Sequence, residues 1–362
     1  MQSGSAAANP PPAPEQGGLA GAYVPMEAPR ALTLARDIFG LSGTLKRFET
    51  EKDDTFRLTC PDGRKLVLKI ANPEEPLAEI DFQNAILRHV EARDPTIPIP
   101  RIIPTTDGRD IAAITDVDGS RRHVRMLTYI EGTPLDQTSS SPGERVQIGR
   151  MLARLRYGTE GFSHPAEGRY YAWNVQNLLT LEPLLAEVVD PGQHRALTLG
   201  LERFRLIEPR LRRCRTQVLH NDFSKSNIVV DHDDPAFVKG IIDFGDAVKT
   251  AIAVDVATAL LNQLPENPHE DLFCRGRDIM EGYLTIAELT EEELALIPHL
   301  VMARVITRAL LTLWRTRLFP DNERYIMRNT GQGWHQLDWF LARSPDQVSD
   351  ILMPFSTEGR KQ

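Results

Sequence analysis

Cysteine is scarce in this 362-residue chain. Cys60, Cys214 and Cys274 stand far apart, odd in number, with no Cys-x-x-Cys pair. That pattern argues against a disulfide framework and against a structural zinc site. Positive charge is also short: 42 Lys and Arg face 50 Asp and Glu, a formal net charge of −8. Nucleic-acid binders usually carry a basic stripe, so no nucleic-acid partner is expected. An acidic chain suits a cationic or metal-bound ligand better. The most apolar stretch of the later chain, Ala251 to Leu261, is broken by Asp255 and is too short to cross a bilayer. The N-terminus, MQSGSAAANPPPAPEQGG, has neither a basic residue nor an apolar run, and the first positive side chain is Arg30. Neither a secretory signal nor an Arg-rich transit peptide is recognisable. The expected setting is a reducing cytoplasm, with no membrane partner.

What is present is ordinary globular material, 41% hydrophobic and 25% charged, which excludes global disorder. At roughly 150 residues per domain, the length suggests two domains or one two-lobed body. Six of the 26 prolines lie before Arg30. Residues 1–29, rich in Pro, Ala, Gly and Ser, read as a disordered tail. From Ala31 a short helix is expected to end near Gly40. Thr44–Phe48, Thr55–Cys60 and Lys65–Ile70 read as strands, the last two joined by a Pro61-Asp62-Gly63 turn. Pro76–Arg93 has helical periodicity. Ile97–Pro104 must be extended, because each residue before a proline is pushed out of the helical region. Ile111–Thr115 and Arg122–Thr128 form a hairpin around Asp118-Gly119.

Beyond Glu131-Gly132-Thr133-Pro134 the patterns turn helical, over about 143–158, 176–213, 250–263, 268–286 and 290–317. Ser141-Pro142-Gly143-Glu144 and Thr290-Glu291-Glu292-Glu293 are helix starts with capping chemistry. A strand-rich island, Gln217–Ile242, interrupts them. The fold class is α+β: a two-lobed protein with an antiparallel sheet lobe over 30–132 and a larger, mainly helical lobe over 133–362.

The chemistry concentrates in that island. His220, Asp222 and Asn227 form His-x-Asp-x-x-x-x-Asn in a loop between two short strands. Asp243 follows another apolar strand in Ile242-Asp243-Phe244-Gly245-Asp246. Adjacent hairpin arms would bring Asp222, Asn227 and Asp243 to one edge. Phosphoryl transfer needs such a set: a carboxylate to take the hydroxyl proton, hard oxygen ligands for Mg²⁺, and an ammonium for the phosphates. Asp222 fits the base, Asn227 and Asp243 the metal ligands. Lys69, on the third strand with apolar neighbours along its stem, fits the ammonium. Each motif alone is common decoration; their order and placement together point to a phosphotransferase site.

The loop and the Ile-Asp-Phe-Gly-Asp segment resemble those of the aminoglycoside phosphotransferase/choline kinase family, a branch of the protein-kinase-like fold. Gly240-Ile-Ile-Asp-Phe-Gly-Asp-Ala-Val-Lys249 with Val254-Asp255-Val256-Ala257 resembles the hydroxylysine kinase branch. So do Leu41-Ser-Gly-Thr-Leu45, Val67-Leu-Lys-Ile-Ala-Asn72 and Phe82-Gln-Asn-Ala85. The likeness runs from about Ala31 to Leu341, with Ala303-Arg304 and Leu313-Trp314-Arg315 near its end. It implies Asp222 as catalytic base, Asn227 and Asp243 as Mg²⁺ ligands and Lys69 as the α/β-phosphate contact. His220 would hold the loop to the metal-binding segment. ATP or GTP would place its base against the backbone of Leu127, Tyr129 and Ile130. Two departures stand out. Gln83 occupies the position of the usual lysine-pairing glutamate, so Glu79, Asp81 and Gln83 are all candidate partners of Lys69, with Glu79 preferred. An acidic segment, Thr50–Thr55, replaces a glycine-rich phosphate loop.

For the acceptor, Asp246 could meet a cationic or hydroxyl group. Arg304, Arg308 and Arg315 share one helix face. They suit recognition of an amino-acid carboxylate, although ion pairs with acidic helices are the commoner use of such residues. Trp173, Trp314, Trp334 and Trp339 read as packing residues. The expected function is a Mg-nucleotide-dependent kinase for a hydroxyl on an amino-acid-like or amino-alcohol substrate. The alternatives are an aminoglycoside phosphotransferase and a catalytically idle binding module.

Overall fold

The computed structural model describes residues 24–50, 53–265, 271–318 and 330–356. Its first sheet contains β1 (Thr44–Arg47), β2 (Asp54–Thr59), β3 (Lys65–Ile70), β4 (Ile102–Ile103), β5 (Ala112–Thr115) and β6 (Arg121–Thr128). The order is β1-β2-β3-β6-β4, with β5 also on β6, and every pairing is antiparallel. Alternation along β3 separates two faces: Leu66, Leu68 and Ile70 are buried, while Lys65, Val67 and Lys69 are half-buried. The buried face packs on Ala31, Leu34 and Ala35 of α1 (Ala28–Phe39). Gly40 ends that helix in the left-handed region, φ 67°, with its N–H on Arg36 O. The other face of β3 leaves Lys69 toward the second lobe. Helix α2 (Leu77–Arg93) follows β3.

The ordered fold starts earlier than the composition suggests. Met26 is buried, its N–H donates to Asp54 Oδ2 at 2.9 Å, and α1 already begins at Ala28. Residues 24–29 therefore belong to the first lobe rather than to the expected tail of 1–29. The remainder of that tail, 1–23, lies outside the described residues.

After β6 the chain enters a second sheet through β7 (Thr133–Pro134). Helix α3 (Pro142–Thr159) starts at the expected capping box: Glu144 N–H donates to Ser141 Oγ, and Ser141 N–H to Glu144 Oε2. The pattern over 176–213 is not one helix. It divides into 3-10 turns over Val175–Glu187 and α4 (Pro191–Leu211). Pro183 lacks the N–H that a continuous helix needs, and Asp190 recaps the chain for Pro191.

β8 (Thr216–Leu219), β9 (Ile228–Val230) and β10 (Val238–Ile241) make up the island, and a further strand that the sequence reading did not expect, β11 (Val248–Ala251), follows it and takes the first two residues of the helix expected over 250–263. β9 lies between β10 and β7, and β8 pairs with β11. Helices α5 (Ile252–Leu261), α6 (Gly276–Tyr283), α7 (Glu291–Leu318) and α8 (Thr330–Leu341) follow in the second lobe, then a short helix over Pro345–Ser349 and 3-10 turns over Asp350–Phe355. Of the pattern over 268–286, only Gly276–Tyr283 is α-helical among the described residues, and 266–270 lie outside them. Thr290 and Glu293 cap α7 reciprocally. By length and composition α7 could cross a membrane, but 89% of its most apolar window is buried inside the lobe. It is the central core helix. α3 and α6 approach backbone to backbone: a Cβ on Gly149 would meet Ile279 O at 2.0 Å, and one on Gly282 would meet Val146 O at 2.0 Å.

Candidate active site

The loop between β8 and β9 is fixed to the end of β10 by two bonds on Ile242. Its N–H donates to Asn227 O at 2.9 Å, and its carbonyl lies 3.0 Å from His220 Nε2. His220 Nδ1 accepts from the Asp222 N–H at 3.3 Å, so Nε2 carries the proton and donates to Ile242. His220 is buried and fully engaged in holding the loop to the Asp243 segment. Asn221 and Asp243 adopt φ 62° and 61°, a left-handed conformation that Asn and Asp tolerate better than most residues. Asn221 is held there by Asp255 Oδ1, which accepts its N–H at 2.8 Å, and by its own amide on Asp246 O at 3.2 Å.

This clamp brings together the oxygens that the sequence singled out. Asn227 Nδ2 donates to Asp222 Oδ2 at 2.7 Å and to Asp222 O at 3.0 Å. Asp243 Oδ1 accepts from Gly245 N–H at 3.2 Å and lies 3.8 Å from Lys69 Nζ of the first lobe. The Asp222 pKa is pushed up to about 7, first by burial and then by Asp246, with Asp243 adding to the rise and Arg304 opposing it. Lys69 holds the Asp243 carboxyl below its usual range. The Asn227 amide oxygen and the Asp243 carboxylate are hard donors, suited to a divalent cation such as Mg²⁺. Crowding among Asp222, Asp243 and Asp246 would itself be relieved by such a cation.

The expected partners of Lys69 are not the observed ones. Its ion pairs are with Asp243 and with Asp53 Oδ2, also at 3.8 Å. Asp53 comes from the acidic segment that stands where a glycine-rich loop would be; Glu51 and Lys52 of that segment lie outside the described residues. The register explains the contact: Thr55 pairs with Lys69, and Asp53 shares the face of Thr55 two residues earlier. Glu79 pairs instead with Arg169, which also donates to Gly245 O and Ala247 O. Asp81 lies 3.1 Å from His164 Nε2. Gln83 is buried between Arg125 and Glu75. Glu79 thus acts through Arg169 on the segment after Asp243 rather than on Lys69.

In the expected nucleotide-base segment, Leu127 pairs with Val67 and Ile102. The Thr128 and Tyr129 N–H groups are already engaged by Arg101 O and Lys65 O. The Tyr129 ring stacks on Phe48 at 6.4 Å, with the Arg57 guanidinium 5.7 Å away, so it packs. Ile130 covers Gly240, where any Cβ would lie 2.6 Å from its Cγ2.

Of the residues expected to meet the acceptor, Asp246 accepts at Oδ1 from the Tyr171 hydroxyl. Arg304 donates to Trp173 O, lies over the Trp173 ring, and places Nη2 3.9 Å from Asp222 Oδ1. Arg308 donates to Gln336 Oε1 at 3.0 Å. Arg315 is buried farther along α7. Asp53, Arg169, Tyr171, Asn221 and Gln336 were not singled out from sequence, and Asp255 stood there only within the Val254–Ala257 segment of the family resemblance. Only Asp53 had a legible signal, through the strand register.

The two lobes, meeting where Lys69 reaches Asp243, make this a protein-kinase-like phosphotransferase fold. The sequence model of the phosphotransferase enzyme family (APH) matches residues 44–289. Hydroxylysine kinase of Mus musculus is 25% identical over 348 residues, covering 89% of this chain and 91% of the relative. Among solved structures, the amicoumacin kinase hAmiN in complex with AMP-PNP, Ca²⁺ and Ami superposes with a TM-score of 0.67 at 19% identity, over 86% of this chain and 94% of that one. A microcompartment-associated aminopropanol kinase superposes with a TM-score of 0.65 at 18% identity, over 90% and 97%. The chain belongs to the phosphotransferase enzyme family, and it is a small-molecule kinase acting on an alcohol group.

Proposed function

We propose that this kinase transfers the γ-phosphoryl group of Mg-ATP or Mg-GTP to a hydroxyl of a small amine, an amino acid or amino alcohol of the hydroxylysine type. The observation that carries the reading is the cross-lobe cluster: the Asp222 carboxylate bonded to Asn227, beside an Asp243 that contacts Lys69. Asp222 accepts the acceptor's hydroxyl proton as that oxygen bonds to phosphorus and the nucleoside diphosphate leaves. Lys69 steadies the α/β-phosphate oxygens. Asn227 and Asp243 would hold Mg²⁺, which supplies charge neutralisation on the phosphates. Leu127, Tyr129 and Ile130 would flank the nucleotide base. Arg304 favours the ionised base and balances the carboxylates around it.

The test is purified protein with Mg-nucleotide and a panel of hydroxylated amines, following nucleoside diphosphate release. Asp222→Ala should lose roughly 10²–10⁴-fold in rate, the usual contribution of a positioned base. Undiminished transfer in that variant would end the assignment. An aminoglycoside acceptor is disfavoured by Arg304 and Arg308 on the acceptor side, because such a polycation calls for acidic walls.

A further inference from the structure

Arg308 is a cation with no counter-ion among the described residues. Among the described residues no carboxylate lies within ion-pairing reach of it, and its hydrogen bond is to a neutral amide, Gln336 Oε1. Two other arginines of the site each have an acid: Arg169 has Glu79, and Arg304 has Asp222. Burial and the neighbouring Arg304 both lower the Arg308 pKa, to about 10. Gly333, in the first turn of α8, packs on the same guanidinium: a Cβ there would lie 3.4 Å from Nη2. A cation removed from water without a partner is costly, so the free protein holds a position that an anion would stabilise. Arg308 remains half-buried rather than sealed.

We propose that Arg308, held by Gln336, is a subsite for the carboxylate of the acceptor, so that the substrates are hydroxylated amino acids rather than amino alcohols. The inference rests on the kinase reading and narrows it. Arg304 Nη2 lies 3.9 Å from Asp222 Oδ1, and Arg308 stands one turn further along α7. Four residues of helix rise about 6 Å. A hydroxyl and a carboxylate separated by about five bonds span that distance. Asp246, whose charge is felt at Asp222, supplies the counter-charge for the acceptor's ammonium.

The experiment compares hydroxy-amino acids with their decarboxylated amines on the wild-type enzyme. The pairs are homoserine with 3-aminopropanol, and 5-hydroxylysine with 1,5-diamino-2-pentanol. The carboxylated member should be favoured about 10- to 100-fold in kcat/KM, the range of a charge-assisted hydrogen-bonded pair. In Arg308→Gln the acceptor KM should rise by a similar factor, the nucleotide KM should stay put, and the preference within each pair should collapse. Arg308→Lys, which keeps the charge but loses the planar fork, should retain part of the preference. Binding of norvaline, a carboxylate lacking the hydroxyl, to the Mg-nucleotide complex gives a readout independent of turnover and should vanish in Arg308→Gln. Equal efficiency within the pairs, or a rise in nucleotide KM alone, overturns the carboxylate subsite and leaves the kinase reading standing. Transfer to no member of either series overturns both.

Discussion

At the scale of single residues, the candidate site is organised by groups that hold its segments together. His220 spends both ring nitrogens on backbone atoms. Arg169 spends its guanidinium on Glu79, Gly245 O and Ala247 O, and so links α2 to the segment that carries Asp243 and Asp246. Removing one partner of such a buried pair leaves the other charge uncompensated. Arg169→Met and Glu79→Gln should each destabilise the protein, Arg169→Met the more because two carbonyls also lose their donor. Urea unfolding of the singles and the double should give a coupling of about 1–3 kcal/mol. Strictly additive losses would mean that the pair does not bind the segment. The catalytic candidates were legible in sequence because their chemistry restricts the residue types. Arg169 was not, because an arginine's partner is set by the fold and no local pattern marks it.

At the scale of elements, the sequence is most informative where a local rule is strict. β3 occupies Lys65–Ile70 as alternation requires, and the caps at Ser141 and Thr290 are the ones their side chains announce. It misleads over 176–213, where apolar spacing continues through Pro183 while the backbone cannot. It is silent on how α3 meets α6. Gly149 and Gly282 there face carbonyl oxygens of the opposite helix, which cannot swing aside as a side chain would. Gly149→Ala should therefore destabilise the lobe by about 1–3 kcal/mol or more, against the small gain that alanine usually brings to a helix. A Cβ at Gly143, in the same helix, would meet nothing within 4 Å, so Gly143→Ala is the matched control and should be close to neutral. Equal thermal stability of the two variants would show that α3 and α6 can separate without cost.

At the scale of the whole molecule, two hydrophobic cores are built, one around α1 with its sheet and a larger one around α7 that reaches into α2 and β4 of the first lobe. His299 sits inside the larger core, bonded to Ser349 Oγ at 3.0 Å, and its pKa is lowered to about 4, chiefly by burial, with Arg210 and Arg203 pushing the same way. The folded chain keeps this imidazole neutral, while the unfolded chain protonates it below its ordinary value near 6.5. Its contribution is therefore complete above about pH 6.5 and is lost as the pH falls toward 4, up to about 3 kcal/mol. In urea unfolding across that window, His299→Gln should lose less stability than the wild type on acidification. Parallel pH profiles would show that His299 is not responsible.

The sequence by itself determined the two-lobed α+β organisation and singled out Lys69, Asp222, Asn227 and Asp243, the residues that the fold then brings together. Strand alternation, capping and hard-oxygen chemistry are local properties, readable without knowing what lies opposite. Only the tertiary structure decided which charges meet: Lys69 with Asp53 and Asp243, Glu79 with Arg169, and Arg308 with no acid among the described residues. Ion pairing depends on distances of a few ångströms between segments far apart in the chain, and those distances exist only after both cores have packed.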